Sequence, residues 1–145
     1  LDPRLPATTF HFWIVSLAAV VGLLASAVVL RASIGRDDIW VFFAGLGLLS
    51  IGSVFLLHSL ATENVLLGAS HPSFSTSPPT SLAAGALFFG LSAIPYNYRF
   101  ERLLVRYRWA IGATWLAGYV AYVVTLFVEP TMLPGVSHRK TKGMS

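Results

Sequence analysis

The sequence contains no cysteine. That absence excludes disulfides, thiolate metal sites and cysteine nucleophiles, and it leaves the redox compartment open. Charge is scarce as well. Asp, Glu, Lys and Arg make up 11% of the 145 residues, where a soluble domain carries about 25%. Residues 10–30, 39–60 and 109–128 contain none of the four charged types. A proton pump or ion-coupled transporter needs an ionisable group deep in the membrane, and the centres of these stretches offer none. There is no HExxH pair, no glycine-rich phosphate loop and no ordered acid–base–nucleophile set, although Ser59, Ser70 and Ser73 stand near histidines in the sequence. The reading is therefore of a protein that is not an enzyme.

Apolar sequence is what the chain does contain. Hydrophobic residues make up 55% of it and its mean hydropathy is +0.70. The charge-free stretches are 21, 22 and 20 residues long, and a fourth, 81–96, has 16 and runs on through Asn97. At 1.5 Å per helical residue, about 20 residues cross a hydrocarbon layer of about 30 Å. The expected fold is an all-α, polytopic membrane protein, a four-transmembrane-helix antiparallel bundle. One membrane domain covers 1–145, with helices at about 10–30, 39–61, 81–98 and 109–128, an outer loop at 62–80 and a basic tail at 131–145. The first stretch is too long for a signal-peptide core, and no small-residue cleavage site follows it.

Local signals refine these limits. Residues 1–9, with Pro3 and Pro6, form a short polar approach to the first helix, which Thr8 or Thr9 could cap. That helix is expected to end at Arg31, and its short connection makes helices one and two antiparallel neighbours. Asp37 and Asp38 suit the positive end of the second helix's dipole. Residues 68–80 are rich in Ser and Pro and are expected not to form a regular helix. The stretch 97–108 is basic and amphipathic, lying in the interface or extending helix three. Its Arg99, Arg102, Arg106 and Arg108 read as membrane-interface anchors with snorkelling side chains.

Charge sets an orientation. The connections after helices one and three carry Arg31, Arg36, Arg99, Arg102, Arg106 and Arg108; the other side carries Arg4, Arg139, Lys140 and Lys142, and the loop 61–80 has no Lys or Arg. The positive-inside rule places the arginine loops in the cytoplasm and both termini and the 62–80 loop outside a plasma or bacterial inner membrane. The net charge of +4 belongs to this topology and to lipid headgroups, not to nucleic acid.

Because lipid tails are as apolar as leucine, helix association rests on close packing and polar contacts. Small residues recur four apart: Ala18, Gly22 and Ser26; Ala86 and Gly90; Ala113, Ala117 and Ala121. Helix two adds Ala44, Gly45, Gly47, Ser50, Gly52 and Ser53. These read as packing faces.

All four histidines, His11, His58, His71 and His138, fall on the expected outer side, with Glu63 and Glu129. His11 lies in the first turn of the expected helix one and His58 in the last turn of helix two. His58 and Thr62 share a face if the helix runs on, and Glu63 is close. A boundary histidine can change charge near neutral pH or accept a small polar ligand, so His58, Thr62, Glu63 and His11 form the candidate sensing group. The alternative for His58 is a fixed hydrogen bond. His11, His58, Glu63 and His71 could together hold Zn or Cu, since imidazole and carboxylate suit those metals; no i,i+4 histidine pair supports it, and the reading is of no cofactor.

The run Phe43-Ala44-Gly45-Leu46-Gly47, then Phe55-Leu56-Leu57-His58-Ser59-Leu60-Ala61-Thr62, then Gly85-Ala86-Leu87-Phe88-Phe89-Gly90-Leu91-Ser92-Ala93, resembles the N-terminal half of bacterial multi-helix membrane input domains. Those domains precede nucleotide cyclase or histidine kinase modules. The resemblance covers about residues 10–95 and rests on the His-x-Leu-Ala-Thr match at 58–62. It implies signal transduction, a cytoplasmic output module as partner, and a chain that is part of a longer protein. Three functional expectations follow: a signal-input bundle with a polar outer face around His58; an accessory subunit of a larger membrane complex, with other membrane subunits as partners; and a metal-binding membrane enzyme or carrier.

Overall fold

The computed structural model describes residues 4–62 and 73–128, with side chains at 9–62 and 75–126, and every regular element among them is helical. The helices are α1 (Arg4–Arg36), α2 (Ile39–Leu60), α3 (Ser73–Ser92) and α4 (Tyr98–Val128). Three segments are long and apolar enough to cross a membrane: Thr9–Arg36, Ile39–Leu60 and Tyr98–Leu126. The Ser, Thr and Pro residues in its first half keep α3 out of that group.

Four boundaries differ from the sequence-based expectation, each for a local reason. α1 begins at Arg4, so Pro6 falls in its first turn, where a missing N–H costs nothing. His11 is thus two turns into the helix instead of in its first. At its other end α1 runs past Arg31 to Arg36. It stops where Asp37 takes a left-handed conformation, φ 54°, and the Asp38 N–H donates to the Ser33 carbonyl at 3.1 Å. That six-to-one bond closes the helix end. Asp38 then caps α2, its side chain accepting from the Val41 N–H at 3.0 Å.

The other two differences lie in α3 and α4. α3 is helical from Ser73, through Pro78 and Pro79. Prolines remove two N–H donors; the hydroxyls nearby bond within the helix, Thr80 Oγ1 donating to the Thr76 carbonyl and Ser81 Oγ to the Pro78 carbonyl, each at 2.8 Å. Burial of Ser77, Ser81 and Gly85 supplies the packing that overrides the local preference. The basic stretch, finally, belongs to α4 and does not extend α3. Asn97 caps it by accepting from the Phe100 N–H at 3.0 Å, while α3 ends ahead of Pro95. The outer loop 62–80 therefore shrinks by 73–80, and the tail 131–145 lies outside the described residues.

α2 is the central helix. It packs on α1, α3 and α4, and thirteen of its residues are buried, Gly45, Gly47, Ser50, Gly52 and Ser53 among them. The α1 seam is a near-contact of backbones. A Cβ on Gly52 would lie 3.0 Å from the Leu23 nitrogen and 3.2 Å from the Ala19 carbonyl oxygen. Ser26 Oγ donates to the Gly45 carbonyl at 3.1 Å. On the α3 side a Cβ on Gly85 would meet Ile51 at 2.6 Å, and Phe43 stacks on Phe88 with centroids 6.4 Å apart. On the α4 side Trp115 Nε1 donates to Ser50 Oγ at 2.8 Å and the Tyr119 hydroxyl to the Ser53 carbonyl at 3.2 Å. Contacts with α1 and α3 run in opposite chain order, and those with α4 in the same order.

The small-residue faces are only partly where the four-apart pattern puts them. Gly22 and Ser26 meet α2, but Ala19 is buried in place of Ala18. In α3 the inward stripe is Ser77, Ser81 and Gly85, and Gly90 faces open space. Ala113, Ala117 and Ala121 of α4 all point outward.

Below the α2 start, Trp40 Nε1 donates to the Ile94 carbonyl at 2.8 Å. The Tyr96 hydroxyl donates to the Leu91 carbonyl at 2.6 Å, and burial pushes its pKa above the usual 10, so it stays a donor. Elsewhere the outward faces of α1 and α4 are apolar; Leu17 is 66% exposed and Trp109 64%. A surface of that kind needs hydrocarbon or protein against it.

Gly52→Ala and Gly118→Ala separate close approach from helix propensity. Gly52→Ala drives a methyl into α1 backbone and is expected to cost about 1–3 kcal/mol. A Cβ on Gly118 meets nothing within 4 Å, and Gly118→Ala is expected to be neutral or stabilising by up to about 1 kcal/mol. Unfolding midpoints in mixed micelles read both; shifts of equal sign and size would contradict the α1–α2 seam.

Candidate functional site

Helices α1 and α2 meet at one end of the bundle through two imidazoles. His11 Nε2 and His58 Nε2 are 3.4 Å apart, and the rings stand edge to face with centroids separated by 5.6 Å. His58 is buried, 6% exposed, and Phe55 packs edge-on against it at 6.3 Å. His11 is exposed. The position of the pair follows from the α1–α2 hairpin: with the Ala19 carbonyl beside Gly52 and Ser26 on the Gly45 carbonyl, continued antiparallel pairing brings residue 11 to the last turn of α2, where His58 stands.

A contact between two Nε2 atoms needs one donor and one acceptor. In the neutral pair one ring carries its proton on Nε2 and the other accepts there, with its proton on Nδ1. If both rings are protonated, both Nε2 atoms become donors and the bond is lost. The contact between the two helices therefore depends on the protonation and tautomer of both rings.

Just beyond α2 the Thr62 N–H donates to the Ser59 carbonyl at 3.0 Å. Its side chain is 1% exposed, and its hydroxyl has no hydrogen-bond partner among the described residues. Ser77 Oγ, at the α3 start, is buried in the same condition. Ser59 Oγ donates within its own helix to the Leu56 carbonyl at 2.8 Å.

Of the candidate sensing residues, His11 and His58 are thus brought together and Thr62 is buried one turn on. Glu63 and His71 lie outside the described residues, as do His138 and Glu129. The described chain supplies two of the four candidate Zn or Cu ligands, and no group of three His, Asp or Glu capable of holding a metal occurs among the described residues.

The interface arginines sit at the opposite end, on the first turns of α4. Arg102 lies over the Tyr98 ring at 5.5 Å from its centroid, and Arg106 and Arg108 lie over Tyr107 and Trp109, each at 5.9 Å. Arg108 also pairs with Asp37, tying the α1–α2 turn to α4. Sequence reasoning passed over Ser77, because 68–80 read as loop, and over Tyr119 and Tyr122, whose i,i+3 spacing in an apolar run marks a polar strip on one helix face. No protein-family model, no curated protein and no solved structure matches the chain.

A proton shared between the two Nε2 atoms has a spectroscopic consequence. With imidazoles labelled in nitrogen-15, the neutral pair is expected to show one ring protonated on Nε2 and the other on Nδ1. Assignment comes from the His11→Ala and His58→Ala variants. Removal of either ring should shift the other's Nε2 signal; independence of the two signals would mean that the rings do not share a proton.

Proposed function

We propose that this chain is a multi-pass membrane protein, a four-span antiparallel bundle, whose outer end around His11 and His58 is the input face of a signal-transducing protein. The observation that carries the reading is the His11–His58 contact, 3.4 Å between two helices at one end of the bundle, with the arginine cluster at the other. Six arginines at the α1–α2 turn and the α4 start favour a cytoplasmic location for that end. α3 serves as the fourth span because its hydroxyls turn back onto its own carbonyls and its buried stripe of small residues faces α2.

In this reading a proton, a metal ion or a small polar ligand at His11 and His58 changes the α1–α2 contact. The close-packed glycine seam passes the shift along both helices to the cytoplasmic turn, where Arg108 and Asp37 join α4 to it. The resemblance of residues 10–95 to bacterial input domains supports an output module as partner. A second reading, an accessory subunit of a larger membrane complex, is favoured by one observation: Ala113, Ala117 and Ala121 form a small-residue face of α4 turned away from the bundle.

The absence of cysteine makes the tests clean. Cysteines introduced at Leu60 and Leu103, both exposed, should react with an impermeant maleimide from opposite sides of sealed cells, Leu60 from outside. Spin labels at Ala32 and Leu103 should change separation by about 2 Å or more when acid or Zn is added, and His11→Ala and His58→Ala should abolish the response. A separation that ignores acid and Zn in the native chain removes the input reading and leaves the subunit reading.

A further inference from the structure

At the arginine end the α1–α2 turn and the first turns of α4 enclose a cavity of about 470 Å³, lined by Arg36, Asp37, Glu101, Arg102, Val105 and Arg106. All but Val105 are charged. Asp37 is already paired with Arg108. That leaves three guanidinium groups, from two helices, against one carboxylate, Glu101. None of these four side chains makes an ion pair among the described residues. Arg102 lies over the Tyr98 ring and donates to its hydroxyl at 3.2 Å, and Arg106 lies over Tyr107. A guanidinium stacked on a ring still presents N–H donors in its own plane. Cations gathered round one cavity repel each other unless an anion lies between them.

From this arrangement we infer that the cavity holds the headgroup of a membrane phospholipid: a phosphodiester anion between Arg36, Arg102 and Arg106, with hydrogen-bond donors at the far end of the headgroup on Glu101. Three features set that class. The planar fork of arginine matches phosphate oxygens two at a time. A carboxylate beside the three cations disfavours a second phosphate and accepts a hydroxyl or ammonium instead, which fits glycerol or ethanolamine; choline has no donor to offer. The level is that of lipid phosphates, because Tyr98, Tyr107 and Trp109 at the same end are 68, 51 and 64% exposed, and such aromatic residues sit among headgroups. General attraction of basic residues for anionic lipid depends on how many there are; this cavity depends on which ones. The inference rests on the bilayer reading and is independent of the signalling role.

The full chain in nanodiscs of mixed phosphatidylcholine and phosphatidylglycerol tests it, with the lipids that stay bound after release from the disc identified by native mass spectrometry. Phosphatidylglycerol is expected to be retained about fivefold above its share of the disc lipid. Arg36→Gln and Arg106→Gln should each lower that enrichment about threefold. Arg31→Gln removes the same charge from an exposed position outside the cavity and should leave the enrichment as it is. Glu101→Ala separates headgroup contact from bare charge: loss of the acceptor should lower enrichment about twofold, whereas loss of a repelling charge alone would raise it. Entry of each variant into the discs at native yield reports its fold. In a second arm phosphatidylethanolamine replaces phosphatidylglycerol and should show the same dependence on Arg36, Arg106 and Glu101. In a third arm soluble glycerophosphoglycerol is added to discs of phosphatidylcholine alone. Its retention identifies a free phosphodiester as a further source, and its absence identifies bilayer lipid; both support the site. No enrichment over phosphatidylcholine, equal loss in Arg31→Gln, or a rise in Glu101→Ala would overturn the inference, whereas a native chain that fails to enter discs of any composition would remove the bilayer reading beneath it.

Discussion

The near-contact of backbones along α2 is the constraint on which the other features depend. In hydrocarbon, apolar side chains gain little by leaving lipid for one another, so helices hold through dispersion at short range and through hydrogen bonds. Gly52 faces the Leu23 nitrogen and the Ala19 carbonyl so closely that a methyl group would have to push α1 back by a few tenths of an ångström, and that distance lets Ser26 reach the Gly45 carbonyl. Ser50 and Ser53 contribute twice. Their hydroxyls donate to carbonyls of their own helix, while Ser50 Oγ and the Ser53 carbonyl accept from Trp115 and Tyr119. Small residues on α2 thus both admit the neighbours and supply the groups that hold them.

Polarity is separated by end. Arg102, Arg106 and Arg108, with their aromatic and carboxylate neighbours, gather where α1 gives way to α2 and α4 begins. The two described histidines sit at the far end with Thr62 and Ser77. Between them the polar groups are hydroxyls, an indole and two phenols, all neutral.

Much of this was legible from residue types. The charge-free runs marked α1, α2 and the apolar part of α4, since helix length and hydrocarbon thickness are physically linked. The approach of His11 to His58 followed from a short hairpin between α1 and α2. What was illegible depended on partners distant in sequence. Pro78 and Pro79 argue for a break, and only the packing of Ser77, Ser81 and Gly85 against α2 makes helix the better state there. Ala113, Ala117 and Ala121 have the spacing of a seam, yet α4 turns Trp115 and Tyr119 to α2 instead, because hydrogen-bond donors found acceptors on Ser50 and Ser53. The Asn97 cap was available in the sequence and was masked by the basic amphipathic stretch after it, which read as an extension of helix three.

The way α4 is attached has a consequence for biogenesis. α1 meets α2 across one short turn, whereas Trp115 reaches Ser50 and Tyr119 reaches Ser53 across 65 and 66 residues, and Arg108 reaches Asp37 across 71. Loop closure over such separations is slower and entropically dearer than closing a hairpin. Of the described helices, α1 and α2 therefore close the shorter loop, and α4 is expected to dock later, on a surface where Ser50 and Ser53 await their donors.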